Sequence, residues 1–276
     1  MVDIRRPHRI IAAATAAVAA GALAVACTAS TTTQAGPTPD APRPTVVLVH
    51  GAFADGSSWN DVVDKLIADR YPVVAVANPL RGPAADAAVV RSVISHLQGP
   101  VVLVGHSYGG SVISAAAAGN DQVRSLVYVA AFQPAPGETA LELTNKFPGS
   151  TLPGTLDPVP VTGADGGTGT DLYIQQAKFP AQFAADVPAE RAALAAAAQR
   201  PIAQAALEEK ATVAAWTDKP NWSVVTTQDL NIPAAAQRFM AERAHSRITE
   251  VAASHSVAVS HPDVVADVIE QAAAAH

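Results

Sequence analysis

The tightest constraint on the fold lies between Val101 and Gly119. Four apolar residues, Val101–Val104, run straight into Gly105-His106-Ser107-Tyr108-Gly109-Gly110, and a stretch rich in small residues, Ser107–Gly119, follows. The first piece has the apolar, mostly β-branched character of a strand buried on both faces, and the last reads as a helix. A chain that passes from strand to helix over so few residues turns sharply. The serine at the apex takes a strained backbone conformation, and glycine stands two places to either side because larger residues would collide there. The strain aims the Ser107 hydroxyl at a helix N-terminus, where backbone N–H groups and the helix dipole favour an oxyanion.

The same alternation extends along the chain. Thr45–His50, Tyr71–Ala77, Val123–Ala131, Ser223–Thr227 and Ile248–Val251 are further apolar, strand-like runs. Between them lie helical faces in Ser57–Asp69, Asp86–Gln98 and Ala234–Ala244, and Pro262 opens a last helix carrying Val264, Val265, Val268 and Ile269. This pattern predicts an α/β fold with a doubly wound, mostly parallel sheet, whose ligands bind beyond the carboxyl ends of the strands. Residues 133–221 break the alternation and predict a mainly helical lid insertion. Its first half is Pro/Gly-rich and reads as irregular; its second half carries helical patterns over Ala181–Gln199 and Pro201–Trp216. The Gly163–Gly169 run lacks the Gly-Lys-Ser/Thr ending and preceding strand of a phosphate loop, so it reads as a lid loop. Asp165 and Asp171 lack the spacing of a calcium loop.

At 49% hydrophobic and 15% charged residues, the 276-residue chain has ample material for a core, which excludes bulk disorder. The net charge of −6, with no basic block beyond the first ten residues, disfavours nucleic acid as a partner. The single cysteine excludes an intrachain disulfide framework and any cysteine-based zinc site. That cysteine, Cys27, ends an uncharged run, Ile10–Ala26, which follows Arg5, Arg6 and Arg9. A basic flank before a small-residue apolar run reads as a secretory signal over residues 1–27. Ala24-Val25-Ala26-Cys27 resembles a bacterial lipoprotein processing site, with Leu23 one place further upstream than that site has it. Simple cleavage and an uncleaved anchor are the other readings. Residues 28–44, with five Thr and four Pro, form a tether, and the domain proper spans 45–276. The expected location is therefore secreted or envelope-anchored, with membrane contact only through the N-terminal signal or a lipid.

A serine hydroxyl is a weak nucleophile until a base takes its proton. Of the eight histidines, His50 and His106 sit beside glycines at strand ends and read as structural, while His96 and His245 fall on or near helix surfaces. His255 lies in the loop between the last strand and the last helix, at the same sheet edge as Ser107, and is favoured over His261, which abuts Pro262 at a helix start. The base needs a carboxylate to set its tautomer. Asp229 follows the strand Ser223–Thr227 at that same edge, whereas its rival Asp218 precedes the strand and Glu138 lies in the insertion; a turn role for Asp229 is the alternative. The order Ser107, Asp229, His255 is the one expected of a strand-to-helix serine elbow. An oxyanion hole is then expected from the N–H of Tyr108 and that of Ala52, in the turn His50-Gly51-Ala52-Phe53, with Phe53 as the alternative donor. Phe53 and Tyr108 are also candidate substrate contacts. Trp216, Trp222, Phe179 and Phe183 are aromatic residues that line either core or pocket.

Taken together, these residues resemble the α/β-hydrolase fold superfamily, in the lid-bearing branch that includes plant methylesterases and hydroxynitrile lyases. The resemblance rests on His50-Gly51-Ala52-Phe53 with Trp59, on Val104–Gly110, on Thr227-Gln228-Asp229 with Pro233, and on Ser254-His255-Ser256-Val257. It implies Ser107 as nucleophile, His255 as general base and then acid, Asp229 as its orienter, and oxyanion donors at Ala52 and Tyr108. In the hydroxynitrile lyases a lysine follows the catalytic histidine; here Ser256 stands there, which favours ester hydrolysis. The expected activity is a serine hydrolase acting on small carboxylic esters without metal or organic cofactor. A cofactor-independent lyase on the same residues, or a tethered small-molecule-binding protein with a slow triad, are the alternatives.

Overall fold

The computed structural model describes residues 43–163 and 166–275. The candidate signal, with Cys27, lies outside the described residues, as do nearly all of the tether, Asp165 and His276. No helix among the described residues is long and apolar enough to cross a membrane.

The first half of the domain alternates strictly: β1 (Thr45–Val49), α1 (Asn60–Ala68, entered through a 3-10 turn at Gly56–Trp59), β2 (Val73–Val76), α2 (Pro83–Ser95), β3 (Val101–His106), α3 (Gly109–Ala116) and β4 (Val123–Val129). An insertion follows, built from α4 (Ala140–Asn145), β5 (Leu156–Thr162), β6 (Thr168–Ile174), α5 (Phe179–Phe183), α6 (Ala189–Ala198), β7 (Ile202–Ala203) and α7 (Gln204–Glu208). The alternation then resumes with β8 (Asn221–Thr226), α8 (Ala234–Arg243), β9 (Arg247–Val251), α9 (Val257–Ser260) and α10 (Pro262–Ala273). The six core strands pair in the order β2-β1-β3-β4-β8-β9, every neighbour parallel.

The continuous apolar runs of β1 and β3 are explained by burial on two faces. Val47 and Val49 of β1, with Val101 and Leu103 of β3, pack into one cluster with Val90 and Ile94 of α2 and Val112 of α3. Val46 and Leu48, with Val102 and Val104, point the other way, onto Val62 and Leu66 of α1 and Val265 and Ile269 of α10. The two-residue period of a strand sends alternate side chains into separate cores, so neither face tolerates polarity.

The insertion departs from the expected pattern. Its Pro/Gly-rich first half is not irregular. β5 and β6 form an antiparallel hairpin, and β7 adds a third strand in the order β5-β6-β7. Pro158 and Pro160 are tolerated because β5 is an edge strand. Spaced two apart, both aim their missing N–H at the open side, leaving the amide of Val159 between them for β6. The glycine-rich run turns this hairpin, closing with Gly163 N–H donating to the Gly167 carbonyl at 2.7 Å. The helical pattern at 181–199 is two helices, because Pro188 breaks the chain and caps α6. The pattern at 201–216 resolves into β7, α7 and a 3-10 turn at Ala215–Thr217. The helical elements still outnumber the strands here; periodicity alone missed the hairpin because β5 is mostly exposed and β6 is buried only toward its end, which leaves no sustained apolar alternation.

Close backbone approach is concentrated where α3 meets the sheet. A Cβ placed on Gly110 would fall 2.2 Å from the Phe132 carbonyl oxygen, a backbone atom that cannot swing aside. Gly110→Ala should therefore lower stability by roughly 1–3 kcal/mol or more, read as a drop in the denaturant midpoint at unchanged slope.

Candidate active site

The elbow has the geometry its sequence requires. β3 ends at His106, and Ser107 adopts φ +54°, in the left-handed region that non-glycine residues avoid. Two hydrogen bonds to the β4 side hold it there: Ser107 N–H donates to Val129 O, and Phe132 N–H to Ser107 O, both at 3.1 Å. The two flanking glycines are needed for different reasons. A Cβ at Gly105 would lie 2.6 Å from the Gly109 carbonyl oxygen, a clash internal to the turn. One at Gly109 would lie 2.4 Å from Val49 O, so the second glycine is demanded by the neighbouring strand β1.

Three side chains distant in sequence meet at the carboxyl end of the sheet. His255 Nε2 is 2.8 Å from Ser107 Oγ, and His255 Nδ1 is 2.6 Å from Asp229 Oδ2. A carboxylate only accepts, so Nδ1 carries the proton and Nε2 is left to accept from the serine hydroxyl. Asp229 is held from all sides. Its Oδ1 accepts from the N–H groups of Asn231 (2.7 Å) and Ile232 (3.0 Å). Its Oδ2 accepts from Thr226 Oγ1 and Gln237 Nε2, each at 2.9 Å, besides His255. One oxygen of Asp229 thus makes the contacts of a turn residue, and the other faces the imidazole.

His106 supports this arrangement from behind. Its Nε2 donates to the backbone carbonyl of His255 at 2.9 Å, and its ring lies 4.7 Å from the His255 ring. Burial holds His106 neutral, with its pKa well below the ordinary 6.5. His50 is likewise structural: its Nδ1 donates to Gly51 O, its Nε2 accepts from Asn78 N–H, and burial lowers its pKa. His261 stands apart, with Nδ1 at 2.9 Å from Ser260 Oγ and 3.7 Å from Asp186. Of the rival acids, Asp218 is exposed on the surface, and Glu138 pairs with Arg243 at 2.7 Å.

Ala52, Phe53, Ser107, Tyr108 and His255 share the wall of one small cavity, about 60 Å³, closed by lid residues including Leu141, Leu156 and Phe183. Phe53 N–H donates to Arg200 O at 3.0 Å. Among the described residues the amides of Ala52 and Tyr108 make no such bond. The Tyr108 hydroxyl turns away from the serine and donates to buried Asp86 at 2.8 Å. Burial, and then the Asp86 charge, push that phenol far above its ordinary pKa, so it stays protonated.

Sequence reading missed the lid's hold on the histidine loop. Ser254, just before His255, donates its hydroxyl to Asp186 and its N–H to the same carboxylate at 3.1 Å. Ser256, just after, donates to Phe183 O at 2.9 Å. Burial would raise the Asp186 carboxyl, but the hydrogen bonds from Ser254 and Ser260 outweigh it and hold the pKa below the usual range. Gln237 was also missed. Its signal was a glutamine on the buried face of α8, between Ala236 and Met240. Of the four aromatics, only Phe183 reaches the cavity: it meets His255 edge-on at 4.9 Å, with Phe179 stacked behind it. Trp222 belongs to the core, and the Trp216 indole N–H donates to Pro134 O.

With this geometry, the chain matches the model of the alpha/beta hydrolase family over residues 46–268, and it belongs to that family. It is 25% identical over 252 residues to the alpha/beta hydrolase nvfD of Aspergillus novofumigatus, covering 84% of this chain and 97% of that one. It is 27% identical over 250 residues to the pyrethroid hydrolase of Sphingobium wenxiniae, covering 81% and 85% respectively. The crystal structure of polyneuridine aldehyde esterase shares the fold, with a TM-score of 0.73 at 17% identity over 83% of this chain and 98% of that one.

The neutral, buried imidazoles set a pH dependence. Because His50 and His106 have folded-state pKa values below 6.5, the unfolded chain binds more protons than the native one as pH falls through that value. Stability should be flat above about pH 7 and fall below about 6.5, by up to about 1.4 kcal/mol per pH unit for each imidazole kept neutral. Urea midpoints measured from pH 7.5 to 5 test this, and His106→Gln should show a shallower slope.

Proposed function

We propose that the protein is a serine hydrolase of small carboxylic esters, working through an acyl-enzyme. The observation that carries this reading is the unbroken chain from Ser107 Oγ to His255 (2.8 Å) to Asp229 (2.6 Å), at a serine forced into left-handed backbone. Kinship with a pyrethroid hydrolase, at 27% identity, points the same way. Ser107 Oγ attacks the ester carbonyl carbon while its proton passes to His255 Nε2. The carbonyl π pair moves onto oxygen, and the oxyanion is received by the Ala52 and Tyr108 N–H groups. Asp229 stabilises the imidazolium that results. Collapse breaks the bond to the alcohol oxygen, which leaves with the proton from Nε2. Water, deprotonated by the same nitrogen, then attacks the acyl-serine, releasing the acid and restoring the hydroxyl. Nothing in these steps draws on a metal or organic cofactor.

Lyase chemistry is disfavoured at the position after the histidine. Ser256 is neutral and its hydroxyl is committed to Phe183 O, so it brings no cation to a departing anion. The decisive experiment is Ser107→Ala assayed on p-nitrophenyl acetate. A fall in kcat/KM of at least about a thousandfold, with loss of fluorophosphonate labelling, is expected; near-normal turnover refutes the assignment.

We further propose that the enzyme works outside the cytoplasm, tethered through a lipid on Cys27. The basic flank Arg5-Arg6, the apolar run Ile10–Ala26 and the Thr/Pro-rich segment before the domain support this. Metabolic labelling with a fatty-acid analogue in a bacterial host should mark the full-length chain and spare Cys27→Ala. Equal labelling of both, or of neither, removes the lipid anchor.

A further inference from the structure

A second cavity of about 290 Å³ lies beside the first, between the lid helices α5 and α6 and the segment that leads into α1. The two share only Phe53 and Phe183 as walls. These rings meet edge to face with centroids 6.2 Å apart, so the partition is one aromatic contact thick. The histidine loop serves both sides: His255 faces the small cavity and Ser256 the large one.

The small cavity is below the size of sites that enclose a whole organic ligand. Sites that enclose small organic ligands run from about 300 Å³ upward. At about 60 Å³ the space over Ser107 admits a few heavy atoms, enough for a short acyl group and its carbonyl. Whatever else an ester carries must go elsewhere, and the adjoining annex is of the right order. Its inner wall is apolar (Phe179, Phe183, Val187, Val259), while Asp55, Ser57, Asn60 and Arg191 line its polar rim, with Asp55 bonded to Ser57 and Arg191 paired with Asp61.

Chemistry then decides which limb goes where. The leaving alcohol oxygen has to sit within hydrogen-bond reach of His255 Nε2, because that nitrogen returns the proton. The annex adjoins the histidine side of the site, through Phe183, whose ring packs on His255 at 4.9 Å. We propose that the annex is the binding site for the alcohol limb, and that the preferred substrates are esters of a bulky apolar alcohol with a short acyl group. The limb reaches the annex by displacing the Phe183 ring from Phe53, which makes Phe183 a specificity-determining residue. This assignment rests on the ester-hydrolase reading.

The test compares three esters on the full chain: 1-naphthyl acetate (bulky alcohol), trifluoroethyl acetate (small on both sides) and trifluoroethyl decanoate (long acyl). The readout is the ratio of kcat/KM for naphthyl acetate to that for trifluoroethyl acetate, which does not depend on the fraction of folded enzyme. Ala195 and Ala198 line the annex from exposed positions on α6, where a larger side chain is compatible with folding. Ala195→Trp or Ala198→Trp should lower the ratio at least tenfold and weaken inhibition by 1-naphthol to a similar degree. Phe183→Ala should raise the ratio. An unchanged ratio in both tryptophan variants overturns the annex while leaving the hydrolase reading intact. A selective loss on the decanoate instead overturns the assignment of the alcohol limb. If the wild-type chain cleaves none of the three, the hydrolase reading fails and this one falls with it.

Discussion

Everything at the site depends on Ser107 being held in left-handed backbone. For a serine this conformation costs on the order of 1–2 kcal/mol, and it persists only because its surroundings over-determine it. Two hydrogen bonds from the β4 side fix the peptide groups around it, while Gly105 and Gly109 let α3 and β1 close to distances that a Cβ would forbid. The strain therefore has a structural origin in how closely three elements converge. Its effect is to aim one hydroxyl out of an apolar sheet and at an imidazole.

The imidazole is held with equal care, by polar groups from four directions. Asp229 sets its tautomer, and Thr226 and Gln237 set Asp229. His106 grips the His255 carbonyl from the elbow itself, so the Ser107 turn and the His255 loop are anchored to one another through backbone as well as side chain. From above, the lid takes both neighbours of His255, Ser254 through Asp186 and Ser256 through the Phe183 carbonyl. Buried polar groups left without partners are costly, and Asp229, Gln237, Ser254 and Ser256 each have one. The insertion is thus part of what positions His255, besides lining the cavity. The same short helix, α5, supplies Phe183 to the wall between the two cavities, so that wall and the placement of His255 are mechanically linked.

Much of this was legible in the residues. Ser107, Asp229 and His255 stood out because each follows a recognisable strand and the strand ends share an edge. In the turn after β1, the N–H of Phe53 is taken by Arg200 O. The lid was less legible. The edge strand of its hairpin, β5, is mostly exposed and carries two prolines, so it left no apolar alternation to read. Asp186 and Gln237 act across the fold on residues that are 68 and 8 positions away, at spacings no local rule singles out.

By itself, the amino-acid sequence determined the strand–helix order, the parallel sheet buried on two faces, and the sheet edge at which Ser107, Asp229 and His255 meet. These follow from local periodicity and turn chemistry, which act over a few residues. Only the tertiary structure decided the small volume over Ser107, the annex behind Phe183, and the lid's grip on the histidine loop. Those are set by packing between segments far apart in the chain, where the outcome depends on three-dimensional fit and not on pattern.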